Sequence, residues 1–198
     1  MNRKFLGDAY DCWKGWLIKT LQDEKLVSDL AVDPMFTDPE PWNDADLAAY
    51  ARLLYVERGQ ILLHTVDLAK NRADYFKETT EKHHGDLFLD PDTGIYSGRR
   101  QPHVKHVTAR EIGSLLSDAP KRLTMIYQHT ARTHMSKRVD EVTKVLQNEV
   151  PCAWASYESA TAAMLFVSLA QEGPHKVAET FREKLGSGAQ SRIRSGGT

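Results

Sequence analysis

Asp90-Pro91-Asp92-Thr93-Gly94 sets two carboxylates on either side of a proline. Proline lacks a backbone donor and pushes the residue before it into extended backbone, so the apolar run Leu87-Phe88-Leu89 must end abruptly there. A strand that stops this way throws both acidic side chains toward one rim, where they suit a substrate amine or a metal ion. Asp, Pro and Gly are also ordinary turn residues, and a plain turn is the competing reading. Asp8, Asp11 and Lys14 stand at three-residue steps, which on a helix puts them on adjacent turns of one face, with Asp8 near the positive end of the helix dipole. They read either as a charged face over a site or as an N-cap followed by an exposed ion pair.

Two basic segments follow the strands that carry Asp90 and Tyr127. They supply Arg99, Arg100, His103, Lys105 and His106, then His129, Arg132, Lys137 and Arg138. Cations around a carboxylate centre suit a phosphate-bearing substrate, because the cations hold the backbone while the carboxylates address the reacting group. The bland alternative is a solvated charged face. His64 lies in an apolar run and reads as a satisfied core histidine, and Trp13 and Trp16 read as core. GxSxG, Walker A, HExxH and GxGxxG motifs are all missing from the sequence. Cys12 and Cys152 have no basic neighbour to activate them, and two distant thiols imply a reduced protein with no cysteine-built zinc site.

These residues need elements to position them. Tyr10, Trp13, Leu17 and Leu21 recur at helical spacing within 8–24. Residues 26–33 are β-compatible and stop at Pro34, Asn43 or Asp44 caps a helix to about Val56, and Gln60–Val66 reads as a strand. A charged helix over 71–84, the apolar strand before Asp90, a helix over 108–117, a strand to His129 and a helix over 135–148 continue the alternation. Strands alternating with helices predict a doubly wound, mostly parallel α/β sheet covered on both faces. Two β-like runs, Cys152–Tyr157 and Ala162–Ala170, leave no room for a helix between them and predict an antiparallel terminal hairpin at the sheet edge. A helix over 174–185 completes a single domain of residues 1–186, and the Gly/Ser-rich segment 187–198 reads as a disordered tail.

The chain's 198 residues suffice for such a core, and 26 basic against 27 acidic residues exclude a wholly basic nucleic-acid magnet. The N-terminus has no signal-peptide apolar core and no apolar run is long enough to span a bilayer, so the expectation is a cytoplasmic protein without membrane contact. In open α/β sheets ligands gather at the carboxyl ends of the strands. That rule nominates Asp33, His64 to Asp67, Asp90 with Asp92, and Gln128-His129 with Arg132.

The stretch Gly7-Asp8-Ala9-Tyr10-Asp11-Cys12-Trp13-Lys14 resembles the GNxxDxxKH opening of the large-subunit ribosomal RNA adenine-N6 methyltransferases. Gly7, Asp11 and Lys14 match, while Asp8 stands for Asn and Gly15 for His. Asp90-Pro91-Asp92 resembles the (D/N)PP(Y/F) element of amino-methyltransferases, with Asp92 and Thr93 at the second proline and the aromatic. The terminal hairpin is similar to the last two strands of class I methyltransferases. The resemblance implies a Rossmann-like methyltransferase fold, S-adenosylmethionine as cofactor and a nucleic-acid base or nucleotide as substrate. It implies that Asp90 and Pro91, with Asp92, position the target amine, that Asp33 faces the cofactor, and that Asp8, Asp11 and Lys14 cover the site. Arg99, Arg100, His129 and Arg132 would bind substrate. Where class I enzymes carry a Gly-rich turn, this chain reads Asp33-Pro34-Met35-Phe36-Thr37-Asp38-Pro39.

Two other readings use the same residues. In one, Asp33, Asp90 and Asp92 hold Mg²⁺ and Lys14 or His129 assists phosphodiester hydrolysis. In the other, the fold is a non-catalytic partner or nucleic-acid-binding subunit, which the absent glycines favour.

Overall fold

The computed structural model describes residues 1–38, 41–98, 102–129 and 133–197. Helix α1 (Ala9–Asp23) begins where the Asp8 carboxylate accepts the backbone N–H groups of Tyr10 and Asp11. Strand β1 (Ala31–Asp33) is fully buried, and Asn43 caps α2 (Asp44–Leu53) by accepting the Asp46 N–H. Helix α3 (Arg72–Lys82) leads to β2 (Leu87–Leu89), followed by a two-residue parallel pair, β3 (Gly94–Ile95) and β4 (His106–Val107). A Thr108/Glu111 capping box starts α4 (Ala109–Asp118), and β5 (Thr124–His129), α5 (Met135–Glu149), β6 (Ala153–Glu158), β7 (Ala162–Ser168), α6 (Glu172–Lys184) and β8 (Ile193–Gly196) complete the order.

The six-stranded sheet runs β1-β2-β5-β7-β6-β8. β1, β2 and β5 are parallel neighbours, and the remaining three pairings are antiparallel. Four strands therefore point one way and β7 and β8 point back, giving a mixed, mostly parallel α/β sheet. Side chains alternate between its faces as the pleat requires. Val32, Phe88, Met125, Met164 and Phe166 face α1, α2 and α6, whereas Ala31, Leu87, Leu89, Ile126 and Leu165 face α3, α4 and α5. Because β1, β2 and β5 are parallel, Asp33, Asp90 and His129 end at one rim.

Gly15 lets α1 cross the end of α2 at close range, since a Cβ there would lie 1.8 Å from the Leu53 carbonyl oxygen. No helix among the described residues is long and apolar enough to cross a membrane.

Four sequence expectations are corrected. Gln60–Val66 is not a strand. Ile61 makes a single parallel bridge to Val32, after which the N–H groups of Thr65 and Val66 go to the Glu78 carboxylate instead of a ladder. The predicted disordered tail is ordered as a 3₁₀ turn over Ser187–Arg192 and then β8, because β6 offers an open edge and Arg194 bonds Glu158, Asp140 and the Ser136 carbonyl. The hairpin β6–β7 is consequently not the sheet edge, which β8 forms. Trp16 is 41% exposed rather than core.

Candidate functional site

Lys14 is the centre of the rim. Its side chain is 3% exposed, and its ammonium donates to Asp90 Oδ2 at 2.8 Å and stands 2.7 Å from Asp11 Oδ1, off the axis of a good hydrogen bond. Tyr50, from α2, donates its hydroxyl to the same Asp90 oxygen. Asp11 Oδ2 accepts the Gly7 N–H at 2.9 Å, which folds the start of the chain back over α1. Burial alone would lower the Lys14 pKa, but the Asp90 and Asp11 carboxylates outweigh it and hold the lysine above its ordinary value. Burial raises the Asp11 carboxyl above its usual range in spite of Lys14. Burial, then Asp90, also holds the Tyr50 and Tyr127 hydroxyls well above the ordinary phenol value, so both remain protonated.

Beyond Asp90 the turn is held from two sides. Asp92 pairs with the Met1 ammonium at 3.2 Å and accepts the Thr37 hydroxyl at 2.7 Å. That ammonium also donates to the carbonyls of Pro34, Met35 and Asp90 at 2.6, 2.9 and 3.1 Å. On the other side, the buried Gln128 side chain accepts from Ile95 N–H and donates to the Thr93 carbonyl, both at 2.9 Å, and Gly94 takes φ +109° beside it. A Cβ at Gly94 would lie 2.4 Å from the Gln128 amide.

Asp33 ends β1 one residue after Val32 and so faces the opposite side of the sheet from Asp90. Its carboxylate accepts the Met35 N–H at 3.0 Å, the Tyr75 hydroxyl at 2.5 Å and the Thr79 hydroxyl at 3.2 Å, with His64 Nε2 at 3.2 Å. Burial opposes ionisation there, but His64, Tyr75 and the Met35 N–H together hold its pKa below the usual value. The His64 ring is buried and packed on Tyr75, with Nε2 on Asp33, but Nδ1 makes no hydrogen bond and stands 3.5 Å from Glu78 Oε2, so the histidine is only half satisfied.

The structure thus brings Asp8, Asp11, Lys14, Asp90, Pro91, Asp92 and His129 together and leaves Asp33 apart. Asp33, Asp90 and Asp92 each meet different internal donors and do not converge on one point. Among the described residues no group of three or more His, Cys, Asp or Glu side chains is arranged to hold a metal ion. Arg99, Arg100 and Arg132 lie outside the described residues. Arg138 turns inward to Ser97 and the Ile95 carbonyl. Burial pushes the Cys152 thiol up to about 11, which leaves it unreactive.

A cavity of about 160 Å³ opens between α1 and the ends of β2 and β5. Phe5, Tyr10, Tyr127, His129 and Pro91 form its apolar walls, and Asp8, Asp11, Lys14, Asp90, Asp92 and Met1 complete the lining. Tyr10 lies 6.1 Å from Tyr127 and 5.9 Å, edge-on, from His129. The Tyr10 hydroxyl reaches Thr161 in the β6–β7 turn, which anchors that wall. Burial holds His129 below the ordinary imidazole pKa against a smaller opposing pull from Asp8, so its ring is neutral at neutral pH. A cavity of roughly 150 Å³ accepts one six-membered ring, so this slot has room for a planar ring flanked by aromatic faces and carboxylates. Tyr10, Tyr50 and Tyr127 carry as much of the site as the carboxylates do. In the sequence they register only as apolar positions of helices and a strand, and the one hint of more is that each is a tyrosine whose hydroxyl needs a partner when buried. No protein-family model matches the chain, and no curated protein is significantly similar to it.

Proposed function

We propose that this chain binds the ring of a nucleobase or nucleotide in its rim pocket, on a fold of Rossmann-like methyltransferase type, as a non-catalytic recognition module. The reading rests on one observation: an aromatic-walled slot with the Asp90-Pro91-Asp92 turn as its floor, at the carboxyl ends of parallel strands. The hairpin β6–β7 beside the parallel strands is in keeping with the methyltransferase resemblance.

The cofactor implied by that resemblance would lie above the end of β1, and the residues there do not fit it. Met35 takes φ +46° with a fully buried side chain where close approach of a ligand calls for glycine. The Asp33 carboxylate is saturated by internal donors, and Met1 lies against the carbonyls of Pro34 and Met35. At Asp90, Oδ2 is taken by both Lys14 and Tyr50. The cofactor that methyl transfer needs therefore finds no support in these residues, whereas ring stacking needs only the walls.

Calorimetric titration with adenosine, cytidine and an unpaired oligonucleotide tests the reading. Saturable binding that Tyr10→Leu weakens by roughly tenfold, the effect of one stacking side chain, is expected. Absence of heat at millimolar nucleoside would reject it. S-adenosylmethionine is expected to give no binding at the same concentration.

A further inference from the structure

The rim pocket is acidic as well as aromatic. Four carboxylates, Asp8, Asp11, Asp90 and Asp92, line it against the two ammonium groups of Lys14 and Met1, which leaves a formal surplus of two negative charges. Its ring faces are therefore set in a negative field. Electron-rich ring faces attract cations, most strongly where water is excluded. The chain already exploits this, because the Lys14 ammonium sits 4.7 Å from the Tyr127 ring centroid. Tyr10 and His129 present the further ring surfaces on which a ligand would rest. A phosphate group in the same space would meet like charge, so a nucleotide must leave its sugar-phosphate outside and insert the base alone.

We propose that the pocket prefers a positively charged, N-methylated nucleobase of the 1-methyladenine or 3-methylcytosine kind over its neutral parent. This rests on the reading of the pocket as a nucleobase site and deepens it. Methylation at such a ring nitrogen places a full positive charge on a planar ring. That ring gains cation–π attraction from the tyrosines and Coulomb attraction from the carboxylates, while the neutral base gains only stacking. The added methyl group also brings apolar surface into contact with Phe5 and Pro91, which lie on the same wall set.

Titration calorimetry of the whole chain at neutral pH and low salt compares 1-methyladenosine with adenosine and 3-methylcytidine with cytidine. The methylated cation of each pair is expected to bind roughly tenfold tighter or better, the size of one partly desolvated cation–π contact. Asp8→Asn keeps the helix cap, because Asn caps as well as Asp, and should shrink the preference by removing charge alone. Tyr10→Leu should shrink it by removing a ring face. Equal affinity within each pair, or tighter binding of the neutral nucleoside, overturns the cation preference and leaves the nucleobase reading standing. Silence from all four nucleosides at millimolar concentration overturns both.

Discussion

Lys14 shows how the same residue type and spacing can serve architecture instead of chemistry. An ammonium group buried between two carboxylates and above a tyrosine ring is paired on every side, and its pKa is held up, so it is neither a nucleophile nor a base at neutral pH. Its effect is to fasten α1 to the end of β2. Removing one member of a buried ion pair leaves an uncompensated charge, which costs about 3–5 kcal/mol, far more than the pair itself contributes. Lys14→Met strands both Asp11 and Asp90. Urea unfolding should show the midpoint falling by that amount of free energy at an unchanged slope. The combined variant Lys14→Met/Asp11→Asn/Asp90→Asn should recover much of the loss, because it removes the charges together. A loss below about 1 kcal/mol for Lys14→Met, the range of an exposed pair, would mean that the lysine is not buried between charges.

At the scale of elements, Arg194 deserves a test of its own because it explains why an apparently unstructured tail is a strand. Its guanidinium bonds Glu158 of β6, Asp140 of α5 and the Ser136 carbonyl, so three elements hold one short strand. Arg194→Ala should raise hydrogen exchange over Ile193–Gly196 and over the facing edge of β6, while β2 and β5 keep their protection. Unchanged exchange at β8 would show that backbone pairing alone holds it. This strand also marks where the sequence stops being legible. Helical periodicity located α1 to α6, and the apolar runs located β1, β2, β5, β6 and β7, since these elements bury faces that leave a pattern. For β8 the local composition argues for disorder, and the open edge of β6 together with the Arg194 contacts decides otherwise. Residues 60–66 fail in the opposite direction: the N–H groups at the end of a β-prone run go to one carboxylate, Glu78, of the helix that follows it. Asp8, Asp11, Asp90 and Asp92 line one pocket, and Asp33 does not. That Asp33 and Asp90 face opposite sides depends on which residues of β1 and β2 pair, and one sequence does not reveal that register.

For the whole molecule, the near balance of charge conceals groups whose folded environment resists acid. Burial holds His129 and His106 below the ordinary imidazole value, with Arg138 adding to the effect at His106. The unfolded chain therefore takes up protons first, and the stability these neutral rings contribute is present above about pH 6.5 and lost as pH falls through that value toward their folded pKa values. Asp33, held low by His64 and Tyr75 against burial, contributes stability above the ordinary carboxylate range that is lost as pH drops through its depressed value. Glu78 behaves the same way: Lys82 and the Thr65 and Val66 N–H groups outweigh burial and draw its carboxyl down to about 2, so its share persists furthest into acid. Asp11 and Asp86 act with the reverse sign, because burial raises their carboxyls and the folded state gains as they take up protons before the unfolded chain does. Thermal melts from neutral to strongly acidic pH should accordingly show an early decline near the histidine range and a later, steeper one below the carboxylate range. Between them Asp11 and Asp86 flatten the curve. His129→Gln with His106→Gln should erase the early decline and leave the later one in place. A Tm that rises as pH falls through the histidine range would contradict the neutral, half-buried imidazoles on which both the acid response and the uncharged wall of the pocket depend.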